Sequence, residues 1–193
     1  MDSFRRYLIR TLQPISKFLG HIYLAPKSRQ IRFNDITAIY SVAKIGDVIL
    51  SFSKGELTNF FIDGEYKHCG IYDGDGHVIE AIGKGVQETP LPDFCANKDK
   101  IAILRPMFSG NVEAIIAVTI ASAEVGKPYD YLFEPNERAF YCAELVAYCY
   151  NKAMDGASPF VPRTIMGVET VLPVDFKLAD KKFKLVMERP LNV

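Results

Sequence analysis

Phe140-Tyr141-Cys142-Ala143-Glu144-Leu145-Val146-Ala147-Tyr148-Cys149-Tyr150 is the stretch on which the reading of this 193-residue chain turns. From Cys142 onward, Leu145, Val146, Cys149 and Ala153 recur at helical spacing. That pattern predicts a helix running to about Met154, with Gly156 just beyond its end. Cys142 therefore stands at a helix N-terminus, where unpaired N–H groups and the positive end of the helix dipole favour a thiolate. A thiolate is a far better nucleophile than a thiol. A cysteine in such a place can equally be a small buried apolar residue, so the rest of the chain has to supply the partners that a nucleophile needs.

Working outward, Gly126-Lys127-Pro128-Tyr129 marks a turn just upstream. Before it, residues 111–125 read as a helix stopped by Gly126 and Pro128. Earlier still the chain is β-rich. Gly46-Asp47-Val48-Ile49-Leu50-Ser51-Phe52 starts a strand. His68 to Tyr72 and His77 to Ile82 flank Asp73-Gly74-Asp75-Gly76, a strong hairpin signal. Val86 to Thr89, Ile101 to Arg105 and Phe183 to Val186 complete the predicted strands, and the tail from Asp155, with Pro159, Pro162 and Pro173, reads as loop-rich. The expectation is one α+β domain over residues 31–193: a small antiparallel sheet or barrel packed against the helix that carries Cys142.

Residues 1–30 form an N-terminal extension. Residues 3–24 have an amphipathic pattern, bent at Pro14, with Phe4, Leu8, Leu12, Ile15, Phe18 and Leu19 on one side and Arg5, Arg6, Arg10 and Lys17 on others. Such a helix usually packs on its own core. Its basic face also suits peripheral contact with an anionic membrane surface or a partner.

Length and composition narrow the classes. The chain can build one substantial core. Its formal net charge is zero, so no bulk field favours nucleic acid. The four cysteines are Cys69, Cys95, Cys142 and Cys149, and none form a Cys-x-x-Cys pair or a zinc-site spacing. The expectation is reduced thiols, no metal, no cofactor and a cytoplasmic location. No signal peptide or run of roughly 20 apolar residues is evident.

A cysteine nucleophile needs a base, and the base a group that orients it. There are three histidines. His21 falls in the N-terminal segment, and His77 directly follows a turn and is expected to be solvated. His68 opens a strand beside the small residues Cys69 and Gly70. Glu80 stands in an apolar run, where a lone carboxylate is costly unless paired, and an Nδ1–H of His68 would satisfy it. The two share a face only if the hairpin loop has an odd count, for example with Tyr72 against Gly76; a two- or four-residue loop puts them on opposite faces.

Together these segments resemble the NlpC-type papain-like cysteine peptidases and amidases. Gly126-Lys127-Pro128-Tyr129 followed by Phe140 to Val146 is similar to that family's nucleophile segment, and His68-Cys69-Gly70-Ile71-Tyr72 with Val78-Ile79-Glu80-Ala81 to its histidine hairpin. The histidine precedes the cysteine, the order of the circularly permuted branch that holds the YiiX/YebB-like proteins and the lecithin:retinol acyltransferase-like proteins. Glu80, where the acyltransferases usually have histidine, favours the YiiX-like side.

The resemblance implies a permuted papain-like fold with residues 31–193 as catalytic domain. It also implies Cys142 as nucleophile, His68 as base, Glu80 as third member, and Tyr129 with the Cys142 N–H around an oxyanion. Tyr141 replaces the usual Asp before the cysteine, as a supporting residue, and Ala143-Glu144 replaces Ser-Gly, which makes Glu144 a candidate substrate contact. The implied activity is a thiol hydrolase acting on a small-molecule or peptide substrate: an amide of a cell-wall-type peptide or of an amidated amino acid. The alternatives are a lipid acyl hydrolase, acyltransferase or thioesterase, and a non-catalytic binding or virion component.

Overall fold

A computed structural model describes residues 30–54, 64–107, 111–131, 133, 136–156, 160, 162–165, 168–179 and 181–190. The amphipathic pattern of residues 3–24 and His21 lie outside the described residues.

The elements, in chain order, are α1 (Phe33–Val42), β1 (Val48–Phe52), β2 (His68–Tyr72), β3 (His77–Ile82), β4 (Gly85–Pro90), α2 (Leu91–Cys95), β5 (Lys100–Pro106), α3 (Val112–Ala123), α4 (Cys142–Ala153), β6 (Arg163–Ile165), β7 (Val168–Thr170), α5 (Pro173–Leu178) and β8 (Phe183–Arg189). Six strands form one antiparallel sheet in the order β4-β3-β2-β1-β5-β8, and β6 and β7 pair separately. The chain is thus α+β, as its sequence implies.

Successive side chains on a strand point to opposite faces, and here both faces are covered. Val48, Leu50, Cys69, Ile71, Ile79, Ala81, Ala102 and Leu104 pack with Ala117, Val118 and Ala121 of α3 and with Leu145, Val146, Cys149 and Tyr150 of α4. Ile49, Tyr72, Val78, Ile101 and Ile103 pack with Ile39 of α1 and with Leu91, Phe94 and Cys95 of α2. Two covered faces explain why β1 and β5 read as unbroken apolar runs rather than as alternation. Each Leu or Val that α4 buries stabilises the docking by about 1.5–3 kcal/mol. At the other end of β1, Arg105 grips the buried Asp47 through Nε (2.9 Å) and Nη2 (2.7 Å), which ties the start of β1 to β5.

Several elements differ from the sequence-based expectation. Phe33–Val42 and Leu91–Cys95 are helical, the latter turned out of β4 by Pro90 and Pro92. The tail after residue 155 carries the β6–β7 hairpin and α5. The last strand runs on to Arg189, because β5 gives it a full-length partner across a bulge at Ile103/Leu104. No helix among the described residues is long and apolar enough to cross a membrane.

Candidate active site

Helix α4 begins at Cys142. Tyr141 before it is extended (φ −89°, ψ 169°), and its N–H donates to Glu144 Oε2 at 3.3 Å, a capping contact from the first turn. The Tyr141 hydroxyl pairs with Thr170 Oγ1 (2.5 Å) and accepts the Val171 N–H (3.2 Å). With Ala143, Leu145 and Val146 wholly buried behind it, the N-terminal turn is fixed on the sheet with Cys142 in its first position. The first N–H groups of a helix have no intrahelical acceptor, so the Cys142 sulfur meets the positive end of the dipole.

The hairpin supplies the imidazole. Tyr72 pairs with Val78, Ile71 with Ile79 and Gly70 with Glu80. The register is odd, so His68 and Glu80 share a face, and it lies two residues from the Tyr72–Gly76 example. The physical reason is Asp73. Its N–H bonds to His77 O (3.0 Å) and its Oδ1 accepts the N–H of Asp75 (2.7 Å) and of His77 (2.9 Å), which holds the loop open. His77 itself is half-exposed and pairs with Asp73 at 3.2 Å, away from the thiol.

His68 meets Glu80 through Nε2, at 2.5 Å from Oε2, rather than through the Nδ1 expected from the sequence. Nδ1 is left free of Glu80, and Cys142 is near enough to raise the imidazole and to be lowered by it. Phe94 of α2 packs against the other side of the imidazole, with ring centroids 5.6 Å apart. Glu80 is only 5% exposed, yet both of its oxygens are bonded. Thr89 Oγ1 donates to Oε1 (2.5 Å), and Gln87 Nε2 donates to Thr89 Oγ1 (2.7 Å). The polar line therefore runs Gln87, Thr89, Glu80, His68, Cys142. Gly70 makes room for it: a Cβ there would come 2.5 Å from Val78 Cγ1, 2.8 Å from the Ile79 carbonyl and 3.2 Å from Glu80 Cβ.

The charges follow from these contacts. The Cys142 thiol is held well below its ordinary value. A hydrogen bond from the Cys69 thiol is the leading cause, burial opposes it, and the hydrogen bond and charge of His68 add to it. Burial disfavours a charged His68, but its bonds to Cys142 and Glu80 outweigh that and raise it to about 9. Burial would push Glu80 up, and His68 and the Thr89 hydroxyl bring it below the usual carboxylate value. These contacts favour a thiolate beside an imidazolium, with an ionised carboxylate next to it.

Tyr129 lies beside this pair. It forms an isolated parallel bridge with Phe140, and burial followed by the Cys142 charge holds its phenol well above the ordinary value. The segment is set by Gly85, whose φ is +111° and where a Cβ would come 2.4 Å from the Lys127 carbonyl. That carbonyl accepts the Val86 N–H (2.8 Å). The Tyr141 hydroxyl bonds Thr170 and Val171, so Tyr141 braces the helix start, in keeping with a supporting place. Glu144 is a helix cap; burial and the nearby Asp130 raise it to about 8.

Sequence reasoning missed Cys69, Gln87, Thr89 and Phe94. Gln87 and Thr89 could have been found, since β4 pairs with β3 so that Gln87 faces Glu80 and Thr89 faces Val78, on the carboxylate's own face. All four cysteines are free and buried. A separate cleft of about 650 Å³, lined by Lys44, Asp47, Asp73, Asp75 and Arg105, lies at the far end of β2 from His68.

A thiol at a helix N-terminus, with an imidazole and a carboxylate aligned on an antiparallel sheet and the histidine preceding the cysteine in the chain, defines a permuted papain-like arrangement. The chain belongs to the permuted papain-like amidase family YaeF/YiiX, C92, which matches residues 42–186. Among relatives it is 27% identical over 118 residues to YiiX of Escherichia coli (strain K12), a protein itself described as uncharacterized; the match takes in 56% of this chain and 58% of that one. Among solved structures its fold is similar to the metalloprotein yiiX of Escherichia coli O157:H7, with a TM-score of 0.64 at 21% identity, over 76% of this chain and 97% of that one. Among the described residues here, no group of three or more His, Cys, Asp or Glu side chains is placed to hold a metal ion.

Proposed function

We propose that this protein is a cysteine amidase in which Cys142 attacks an amide carbonyl, His68 carries the proton and Glu80 orients His68. The observation that supports it most directly is the Glu80–His68 bond of 2.5 Å, with Cys142 close enough to His68 to favour its charged form.

Cys142 Sγ adds to the carbonyl carbon, and the oxygen takes the negative charge near the Cys142 N–H and Tyr129. His68 gives its proton to the leaving nitrogen, the C–N bond breaks, and a thioester remains. The imidazole then takes a proton from water, which attacks the thioester and releases the acid. Glu80 stays ionised and stabilises the imidazolium. The substrate class is an amide of a cell-wall-type peptide or of an amidated amino acid, in keeping with the amidase family.

The test is acyl trapping. Full-length protein is mixed with a panel of aminoacyl and dipeptidyl p-nitroanilides, and with p-nitrophenyl esters of long-chain fatty acids. Release of p-nitroaniline with an acyl adduct on Cys142, absent in Cys142→Ala, is the expected result. Turnover of the lipid esters alone would move the substrate class to acyl lipids, and no adduct on Cys142 with any compound would defeat the nucleophile assignment.

A further inference from the structure

The chain after Tyr129 runs alongside the residues that lead into Cys142. Tyr129 bridges Phe140, and two backbone bonds, Phe140 N–H to Pro128 O and Asp130 N–H to Phe140 O, hold that pairing at 3.1 Å each. The Tyr131 hydroxyl donates to Gly83 O (2.9 Å), and its ring packs on that of Tyr129 with centroids 4.8 Å apart. Phe133 then lies on Tyr141, the residue immediately before the nucleophile, again with centroids 4.8 Å apart.

Phe133 is poorly suited to its place on two counts. Its φ is +50°, in the left-handed region, where Cβ crowds the following carbonyl and a bulky side chain is rare. Glycine would take that conformation without strain. Its ring is also 43% exposed, although phenylalanine gains most from burial. A turn alone would be better served by glycine, and a packing residue would be better buried. Backbone strain of this kind persists where the surrounding structure enforces it, and it gathers at ligand-binding sites. Tyr141 is not at liberty to move over the ring, because its hydroxyl is held by Thr170 and Val171. Phe133 is thus backed on one side and open to water on another, beside the start of α4.

We propose that Phe133, backed by Tyr141, is a specificity residue of the active site and binds an apolar side chain, aromatic or branched aliphatic, next to the scissile amide. Such a side chain removes the exposed ring from water, and an offset or edge-on ring pair adds to that gain. A glycyl or alanyl substrate leaves the ring exposed. The inference rests on the amidase reading and narrows its substrates; the experiment separates the two.

Full-length protein is assayed for ammonia release from the amides of phenylalanine, leucine, alanine and glycine, whose leaving group carries no ring. The kcat/KM for the phenylalanine and leucine amides should exceed that for the alanine and glycine amides by about tenfold or more. In Phe133→Gly, which suits a φ of +50°, the ratio should fall to within about threefold, chiefly through KM. Iodoacetamide labelling of Cys142 in the same variant checks that the thiol is intact. The chain has no tryptophan, so Phe133→Trp in a Cys142→Ala background carries a single indole at the subsite. N-acetylphenylalaninamide should move its emission to shorter wavelength at concentrations where N-acetylglycinamide does not.

A preference for apolar amides that survives Phe133→Gly, or an indole that answers the two acetylated amides alike, would overturn the subsite; turnover that still needs Cys142 would then leave the amidase reading standing. An indole that answers the phenylalanine compound alone, in a protein that turns over no amide, would uphold the subsite and defeat the amidase. Neither turnover nor an indole response would overturn both.

Discussion

Replacing Glu80 by Gln keeps the shape of the side chain and removes one charge, 2.5 Å from His68 Nε2. An amide oxygen can still accept from Nε2, and its NH2 can still donate to Thr89 Oγ1, so the fold should survive. What is lost is the charge-assisted part of a buried hydrogen bond. Bonds to charged groups are worth about 1.5–3 kcal/mol net, and about 1.4 kcal/mol is one pH unit. His68 stands at about 9 partly because the Glu80 carboxylate favours its charged form. In Glu80→Gln its midpoint should therefore fall by about 1–2 pH units.

The sign is fixed by the linkage. A raised histidine is protonated, and stabilising, below its folded value, and that contribution is lost as pH rises through it. The thiolate–imidazolium pair of wild type should therefore persist up to about pH 9, and that of the variant should fail earlier. The assay is an NMR titration of the imidazole Cε1–H signals, tractable because the chain has three histidines and His68→Ala assigns the relevant one. Amide turnover should fall about 10- to 150-fold, the same 1.5–3 kcal/mol read as a rate. A folded Glu80→Gln protein with the wild-type His68 midpoint would refute the reasoning, because no coupling between the two groups would then exist.

Other outcomes follow from the same geometry. Iodoacetamide should label Cys142 faster than Cys69, Cys95 or Cys149 at neutral pH, since Cys142 is held low while burial pushes Cys95 up to about 12; equal labelling by peptide mass spectrometry would contradict the ionised thiol. Thr89→Val removes the donor to Glu80 Oε1 and should lower turnover while Thr89→Ser restores it, with the His68 titration moving in parallel; Thr89→Val with wild-type turnover and titration would show that Glu80 holds its place without it. Gly70→Ala sets a Cβ 2.5 Å from Val78 and 3.2 Å from Glu80 Cβ and should cost about 1–3 kcal/mol of stability by denaturant melts, together with activity. Glu144 is protonated up to about pH 8 in the fold and ionised in the unfolded chain above its ordinary value of 4.5, so folding stability should drop as pH rises between those values. Glu144→Gln should abolish that drop in melting temperature.

What the sequence disclosed of this site was what depends on local rules. The helix period after Cys142 and the hairpin residues around Gly74 and Gly76 place two elements, and a carboxylate inside an apolar strand demands a partner. The register could not be settled from composition, because it hangs on how one side chain, Asp73, satisfies the N–H groups of Asp75 and His77. The choice of Nε2 for Glu80 was likewise invisible, since it depends on how the ring is held between Phe94 and the helix start. The short helix Leu91–Cys95 escaped notice because a five-residue run is too short to show a helical period. Pro90 and Pro92 turn the end of β4 into a first helical turn, which carries Phe94 to the imidazole.

The two halves of the site depend on different parts of the fold. His68 and Glu80 are joined within one hairpin, and their bond needs only the β2–β3 register and Thr89 on the neighbouring strand. The thiol comes from a distant segment and reaches the imidazole only when α4 docks. The two are nevertheless thermodynamically one unit: Cys142 is low in part because His68 is charged, and His68 is high because Cys142 and Glu80 are negative. Loosening the helix would therefore let the thiol take back a proton and the imidazole give one up, even with all three side chains intact. This gives a physical reason for bracing Tyr141 with two hydrogen bonds to residues 170–171.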